Sequence, residues 1–386
     1  MTWINEKAAR LKQGAIRQMF DRAKAMGDVI SLGIGEPDMD TPAPICEVGA
    51  QALLHGATHY TANAGDLALR EAVSKAGFFV PGGYDPKTEI LITTGGMGAL
   101  SLCLLVALSP GDEVLIQDPQ WLNYVTLVKY ADGVAVRVPV YAEDGFAMTP
   151  EGLEACITSR TRVLMINSPN NPTGAVLSKK ALEGIAKVAI RHDLLVISDE
   201  VYNTLVYDGS SRLSIAELPG MRERTIVINS FSKAFAMTGW RIGFAMGPKD
   251  IIQRMMFLQA TTTTCPNAAA QAAAAYALTR QDLVEDMVQV YARRRELICN
   301  ELGKIPGMEV GMPGGAFYVF PSIQGIGMDP KEFCDRLLEE ERVVCIPGTA
   351  FGECGQGFIR ISYANSEENI LEAVKRMARF VSRIRG

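Results

Sequence analysis

The sequence predicts an α/β protein: a large, mostly parallel sheet with helices on both faces, followed by a smaller α+β unit. Three observations predict it. Short, continuous apolar runs recur from residue 90 onward: "EILIT", "EVLIQ", "VAVRVPV", "RVLMINSP", "LLVISDE", "TIVINSFS" and "WRIGFAMG". Helical stretches such as "SKKALEGIAKVAIRHD" lie between several of them. The pattern then changes after residue 289, where a long charged helix precedes the short strands of "GGAFYVFP", "VVCIPG" and "GFIRISYA". Strands buried on both faces read as unbroken apolar runs, and their alternation with helices marks parallel crossovers.

The size fits that division. A chain of 386 residues exceeds what one compact core holds, so two domains are expected. The large one is placed at 46–288, and the small one combines 1–45 with 289–386. Hydrophobic residues make up 48% and charged residues 21%, which allows a sizeable core. A formal charge of −5 carries no basic excess and argues against a nucleic-acid partner.

At the N-terminus, Ile4, Ala8, Leu11, Ala15 and Met19 fall at helical spacing, which predicts an amphipathic helix rather than a signal peptide. The stretch "GALSLCLLVAL" is about half the length of a membrane span and reads as a buried helix. Eight scattered cysteines form no C-x-x-C pair, so reduced thiols in a cytoplasmic protein are expected, with no zinc or redox motif. His55, His59 and His192 are the only histidines, and no metal or Ser-His-Asp constellation forms around them.

In parallel sheets, ligands bind beyond the carboxyl ends of the strands. That rule collects the chemistry-bearing groups. "TGGMG" follows "EILIT" and offers glycine N–H groups at a helix start, where an anion is favoured. "NSPNNPTG" presents Asn171, "DEVY" presents Asp199 and Tyr202, and "SFSK" presents Ser230 and Lys233, with Arg241 eight positions on. Each element alone is weak; together they fit an aromatic phosphate bearing a carbonyl. The glycine amides, Ser230 and Arg241 suit the phosphate. Lys233 suits a Schiff base, Asp199 a protonated pyridine nitrogen, and Asn171 and Tyr202 a phenolate oxygen. Trp121 offers a flat face for the ring.

The segments "GIGEPD", "HYTANAGDLALREA", "TGGMGAL", "NSPNNPTG", "SDEVY", "SFSKAFAMTGWRIG" and "FIRISYA" resemble the class I/II aminotransferases of fold type I, within an aspartate/aromatic aminotransferase-like subgroup. The resemblance runs from about residue 30 to the C-terminus and keeps the family's motif order. It implies pyridoxal 5′-phosphate as cofactor, a seven-stranded sheet in the large domain, and transfer of an amino group from an L-amino acid to a 2-oxo acid. Lys233 matches the lysine that forms the imine and moves the proton. Gly95, Gly96 and Met97 match the phosphate turn. Tyr60 matches the tyrosine that reaches the neighbouring subunit's phosphate, which implies a homodimer with shared sites. Arg360 matches the clamp for the substrate α-carboxylate, helped by Gly35 and Asn171, and the Asn171–Pro172 peptide is expected to be cis.

Arg360 also stands on its own chemistry: a planar guanidinium between Ile359 and Ile361 is costly to bury without an anion. For the substrate side chain, relatives that prefer aspartate often place a lysine where this chain has Met97, and "MFLQATTTTCPNAAAQAAAAYALT" contains no Lys or Arg. Neutral or aromatic donors are therefore expected over aspartate. Aspartate transamination and a C–S β-lyase on the same fold are the competing expectations, since all begin with loss of the same Cα proton. A DNA-binding regulator would need a basic segment ahead of "SLGIGEPD" that about thirty residues do not supply.

Overall fold

The computed structural model describes residues 3, 4, 9, 15–209 and 212–385. In chain order its strands are β1 (Ile30–Ser31), β2 (Ile90–Thr93), β3 (Glu113–Asp118), β4 (Val134–Pro139), β5 (Thr161–Asn167), β6 (Leu195–Asp199), β7 (Thr225–Ser230), β8 (Gly243–Met246), β9 (Tyr318–Val319), β10 (Val343–Val344), β11 (Ile346–Pro347) and β12 (Ile359–Ser362). The helices needed below are α1 (Ala15–Met26), α2 (Gly95–Ala107), α3 (Phe231–Ala234), α4 (Gln281–Leu302), α5 (Pro330–Glu341) and α6 (Glu367–Arg385).

Seven strands form the large sheet in the order β2-β8-β7-β6-β5-β3-β4. Strands β3 to β7 run parallel, while β8 lies antiparallel between β2 and β7. The expected mostly parallel sheet is therefore present, with "WRIGFAMG" supplying its one reversed strand. Strands β2, β3, β7 and β8 are buried along their whole length, as unbroken apolar runs require. By contrast β4 is an edge strand and is partly exposed. Helix α2 is the buried helix read from "GALSLCLLVAL".

A second core joins the two ends of the chain. Met19, Ala23 and Leu32 pack in one cluster with Phe333, Leu337, Val344, Ile361 and Phe380. Strand β1 pairs parallel with β10, and the Leu32 N–H donates to the Val344 carbonyl at 2.9 Å. A three-stranded antiparallel sheet, β11-β12-β9, carries Arg360 at its centre. The segment "GGAFYVFP" contributes only two residues of strand to it. Of the expected N-terminal helix, α1 runs from Ala15 past Met19 to Met26, whereas Ala8 and Leu11 lie outside the described residues.

Candidate active site

The carboxyl ends of β5, β6 and β7 and the start of α2 open into a cavity of about 400 Å³. The segment that follows β1 closes it through Gly33, Gly35 and Glu36, and β12 adds Arg360. Of the residues singled out from sequence, Gly35, Gly96, Met97, Trp121, Asn171, Asp199, Tyr202, Ser230, Lys233, Arg241 and Arg360 all line it. Gly95 sits directly behind it against Arg241. Tyr60 does not line it: it is 86% exposed on the surface of this chain.

One end of the cavity is built for an anion. Gly95 has φ +69°, a conformation other residues adopt only with strain, and a Cβ there would fall 2.5 Å from Arg241 Nη2. The glycine thus lets the guanidinium lie against the first turn of α2, whose opening N–H groups have no helical partner. Arg241 donates to the Thr238 carbonyl at 3.1 Å and makes no ion pair among the described residues. The Ser230 hydroxyl caps α3, accepting from the Ser232 N–H at 3.2 Å, and donates to the Ser232 hydroxyl at 2.8 Å.

The floor holds the acid. Asp199 ends β6, fully enclosed, and accepts from the Tyr124 hydroxyl at 2.6 Å. Burial raises its pKa to about 6, against the opposing pull of that hydrogen bond. Its neighbour Glu200 bonds instead to Ser198 and Ser214, at 2.8 and 2.5 Å, and does not line the cavity. Trp121 stands beside Tyr124 with ring centroids 5.3 Å apart and edge to face.

Lys233 lies in α3 and points its Nζ to the Gly35 carbonyl at 2.6 Å. It has no carboxylate partner within ion-pair distance among the described residues, and burial lowers its pKa to about 8. Such an amine loses its proton far more readily than a surface lysine.

At the opposite end Arg360 is 2% exposed. Its Nη1 donates to Asn171 Oδ1 at 3.1 Å, its Nη2 to the Gly33 carbonyl, and its plane lies 4.7 and 4.9 Å from the Tyr318 and Phe351 ring centroids. Its Nε has no partner and no carboxylate neutralises it among the described residues. Burial lowers its pKa from the ordinary arginine value. A sealed guanidinium with an orphaned N–H is costly unless an anion arrives. The Asn171–Pro172 peptide is cis, as are Asp118–Pro119 and Ser168–Pro169.

Sequence reasoning missed Tyr124, Ser232, Tyr318 and the Thr238–Glu36 hydrogen bond at the cavity mouth. Tyr124 was within reach, because three residues after Trp121 it lies on the same side of a helical turn. Tyr318 had no such signal, since its polar partners are far away in sequence.

Pyridoxal 5′-phosphate fits this donor set: an anion cradle opened by a missing Cβ, a buried acid, a buried amine of lowered pKa and a flat indole. No group of three or more His, Cys, Asp or Glu residues gathers as a metal site among the described residues.

Comparison with known proteins gives a consistent picture. The family model described as aminotransferase class I and II matches residues 27–377. An aromatic-amino-acid aminotransferase 2 of Thermococcus litoralis is 46% identical over 97% of each chain. An aspartate aminotransferase of Pyrococcus abyssi is likewise 46% identical over 97% of each chain. Among solved structures, the aromatic aminotransferase from Pyrococcus horikoshii superposes with a TM-score of 0.90 at 47% identity, covering 95% of this chain and 99% of that one. The Thermus thermophilus aspartate aminotransferase with maleate gives 0.91 at 39% identity, covering 98% and 100%.

Proposed function

The chain belongs to the class I and II aminotransferases, enzymes that depend on pyridoxal 5′-phosphate, and from that premise we propose what each residue of the cavity does. Bound here, the cofactor supplies an electron-poor ring that accepts the electron pair left when an amino acid loses its Cα proton. The remaining work belongs to the chain.

Arg241, the Ser230 and Ser232 hydroxyls and the N–H groups around Gly95, Gly96 and Met97 hold the phosphate. Trp121 covers one ring face. Asp199, kept in place by Tyr124, faces the ring nitrogen and is ionised by the positive charge it meets there. Asn171 and Tyr202 donate to the ring oxygen. Lys233 would hold the cofactor through Nζ. Freed by the incoming amine, Nζ would be the base for the Cα proton and would return it to the cofactor's carbon on the far side of the imine nitrogen. Arg360, with Asn171 and the Gly35 backbone, receives the α-carboxylate. The single observation that carries this reading is Arg360, buried in the cavity lining without a counter-ion among the described residues.

The basic residues lining the cavity are Lys233, Arg241 and Arg360, and all three are committed. Among the described residues, a second carboxylate on the substrate side chain would find no further cation in a lining that includes Ile34, Met97 and Leu100. We therefore assign neutral or aromatic donors ahead of aspartate, with a 2-oxo acid such as 2-oxoglutarate as acceptor, whose distal carboxylate would keep water as its partner. Relatives of both names exist, so the donor is a reading of this cavity.

Exposure of Tyr60 supports a homodimer in which it reaches the other subunit's phosphate. The same reading takes 46–288 as the cofactor-holding domain and 1–45 with 289–386 as the small one. It places the enzyme in the cytoplasm; among the described residues no helix is long and apolar enough to cross a membrane.

Borohydride reduction of the cofactor-loaded protein, followed by peptide mapping, is expected to put one phosphopyridoxyl group on Lys233. A label elsewhere, or none, overturns the assignment. Initial rates for aspartate, alanine, phenylalanine, tyrosine and methionine against 2-oxoglutarate test the donor. A rate for aspartate far above the others overturns the preference.

A further inference from the structure

Four side chains between the carboxylate end and the ring end of the cavity form a continuous line. Arg360 Nη1 donates to Asn171 Oδ1 at 3.1 Å, Asn171 Nδ2 donates to the Tyr318 hydroxyl oxygen at 3.5 Å, and the Tyr318 and Tyr202 hydroxyls lie 2.8 Å apart. The direction of this line follows from the chemistry of its first member. A guanidinium has donors only, so Asn171 must turn its oxygen to Arg360 and its NH₂ to Tyr318.

Tyr318 accepts that bond and keeps its own proton. Among the described residues its hydroxyl has no polar partner but Asn171 and Tyr202, so once the Tyr202 proton is given to an acceptor in the cavity, the Tyr318 proton goes to the Tyr202 oxygen. Among the described residues the Tyr202 hydroxyl has no other partner, and its proton is free to point into the cavity it lines. Tyr318 is completely buried on β9, and a Cβ at Gly35 would fall 2.1 Å from its hydroxyl oxygen. The bare glycine therefore makes room for this hydroxyl, while its carbonyl accepts from Lys233.

We propose that Tyr318 is a positioning residue that orients and strengthens Tyr202 as a hydrogen-bond donor to the cofactor's ring oxygen, in a one-way chain anchored on the Arg360 charge. The inference rests on the reading that pyridoxal phosphate is bound through Lys233 with Tyr202 at its ring oxygen. Hydrogen bonds in series polarise one another, so deleting the Tyr318 hydroxyl weakens the Tyr202 donor without removing it. A donor on that oxygen withdraws negative charge that would otherwise hold the neighbouring imine proton. A weaker donor therefore raises the pKa of the visible chromophore.

The test is a spectrophotometric pH titration of the cofactor-loaded protein and three variants. Tyr318→Phe is expected to raise the chromophore's pKa by about half a unit, and Tyr202→Phe by more. The double variant is expected to match Tyr202→Phe alone, because Tyr318 acts only through Tyr202. A Tyr318→Phe value equal to wild type overturns the inference, as does a double variant in which the two shifts add. Should Tyr318→Phe fail to fold, Tyr318→Leu, which also lacks the hydroxyl, is read against the same two outcomes. Wild-type protein that forms no visible imine band with added cofactor would instead sink the underlying functional reading, and this inference with it.

Discussion

Glu341 and Arg360 are both nearly sealed from water, at 4% and 2% exposure, in the C-terminal part of the chain, yet their surroundings are opposite in kind. Glu341 ends α5 and is gripped by two arginines from α6: Arg379 donates to it from Nε at 3.0 Å and from Nη2, and Arg383 donates from Nη1. Those bonds hold its carboxyl below the usual glutamate range. Arg295 and Arg294 on α4 are likewise paired, with Asp208 and Asp38 at 2.6 and 2.7 Å. Among the described residues Arg360 meets carbonyl oxygens and aromatic faces but no anion. The difference teaches how to tell a structural charge from a working one: the fold supplies the counter-ion for the first and leaves the second to be neutralised by a ligand.

Removing the charge at each place should separate the two roles, with the largest effect in the cleft. Arg360→Leu is expected to lower kcat/KM for amino acids by about a thousandfold while leaving cofactor absorbance unchanged, and Arg360→Lys to recover only part of it, because lysine lacks the planar fork. Steady-state kinetics check this, and a normal kcat/KM in Arg360→Leu would erase the contrast.

Gly95→Ala comes next. A methyl forced to within 2.5 Å of Arg241 at φ +69° should weaken retention of the cofactor at least ~10-fold, read by equilibrium dialysis or fluorescence, through strain at the phosphate end alone.

A pH series sharpens the comparison further. Imine formation needs the neutral amine, and burial lowers the Lys233 pKa to about 8. The rate of cofactor uptake by the apoprotein should therefore rise about tenfold per pH unit below that point and level off above it. A plateau only near the ordinary lysine value would mean that the empty cleft does not desolvate the amine. The smallest effect on chemistry belongs to Glu341→Gln. It is expected to lower the melting temperature by a few degrees with kcat/KM within about twofold of wild type, since the groups it frees lie outside the cleft.

Much of this was legible from the chain in one dimension. Each buried strand of the large sheet announced itself as an unbroken apolar run, and the groups at their carboxyl ends, Asn171, Asp199, Ser230 and Lys233, followed from where the runs stop. The antiparallel sense of β8 was not legible. Its apolar run looks like those of its neighbours, and strand direction depends on the tight return through 231–242. Tyr124 hid behind Trp121, and Tyr318 hid in a strand of two residues with no periodicity to mark it.

What the sequence alone determined is the kind of fold and which chemistry-bearing groups stand at the strand ends around the cavity, because both are local properties: a hydrophobic period, a residue type, a position at a strand end. What the tertiary structure decided is the state of those groups. Lys233 is an amine of lowered pKa only because residues far along the chain bury it against the Gly35 carbonyl. Arg360 is suited to receive an anion only because the surrounding elements exclude water and, among the described residues, bring no carboxylate. Proton affinity and unpaired charge depend on the solvent and partners that surround a group, and these come from parts of the chain that meet only when it folds.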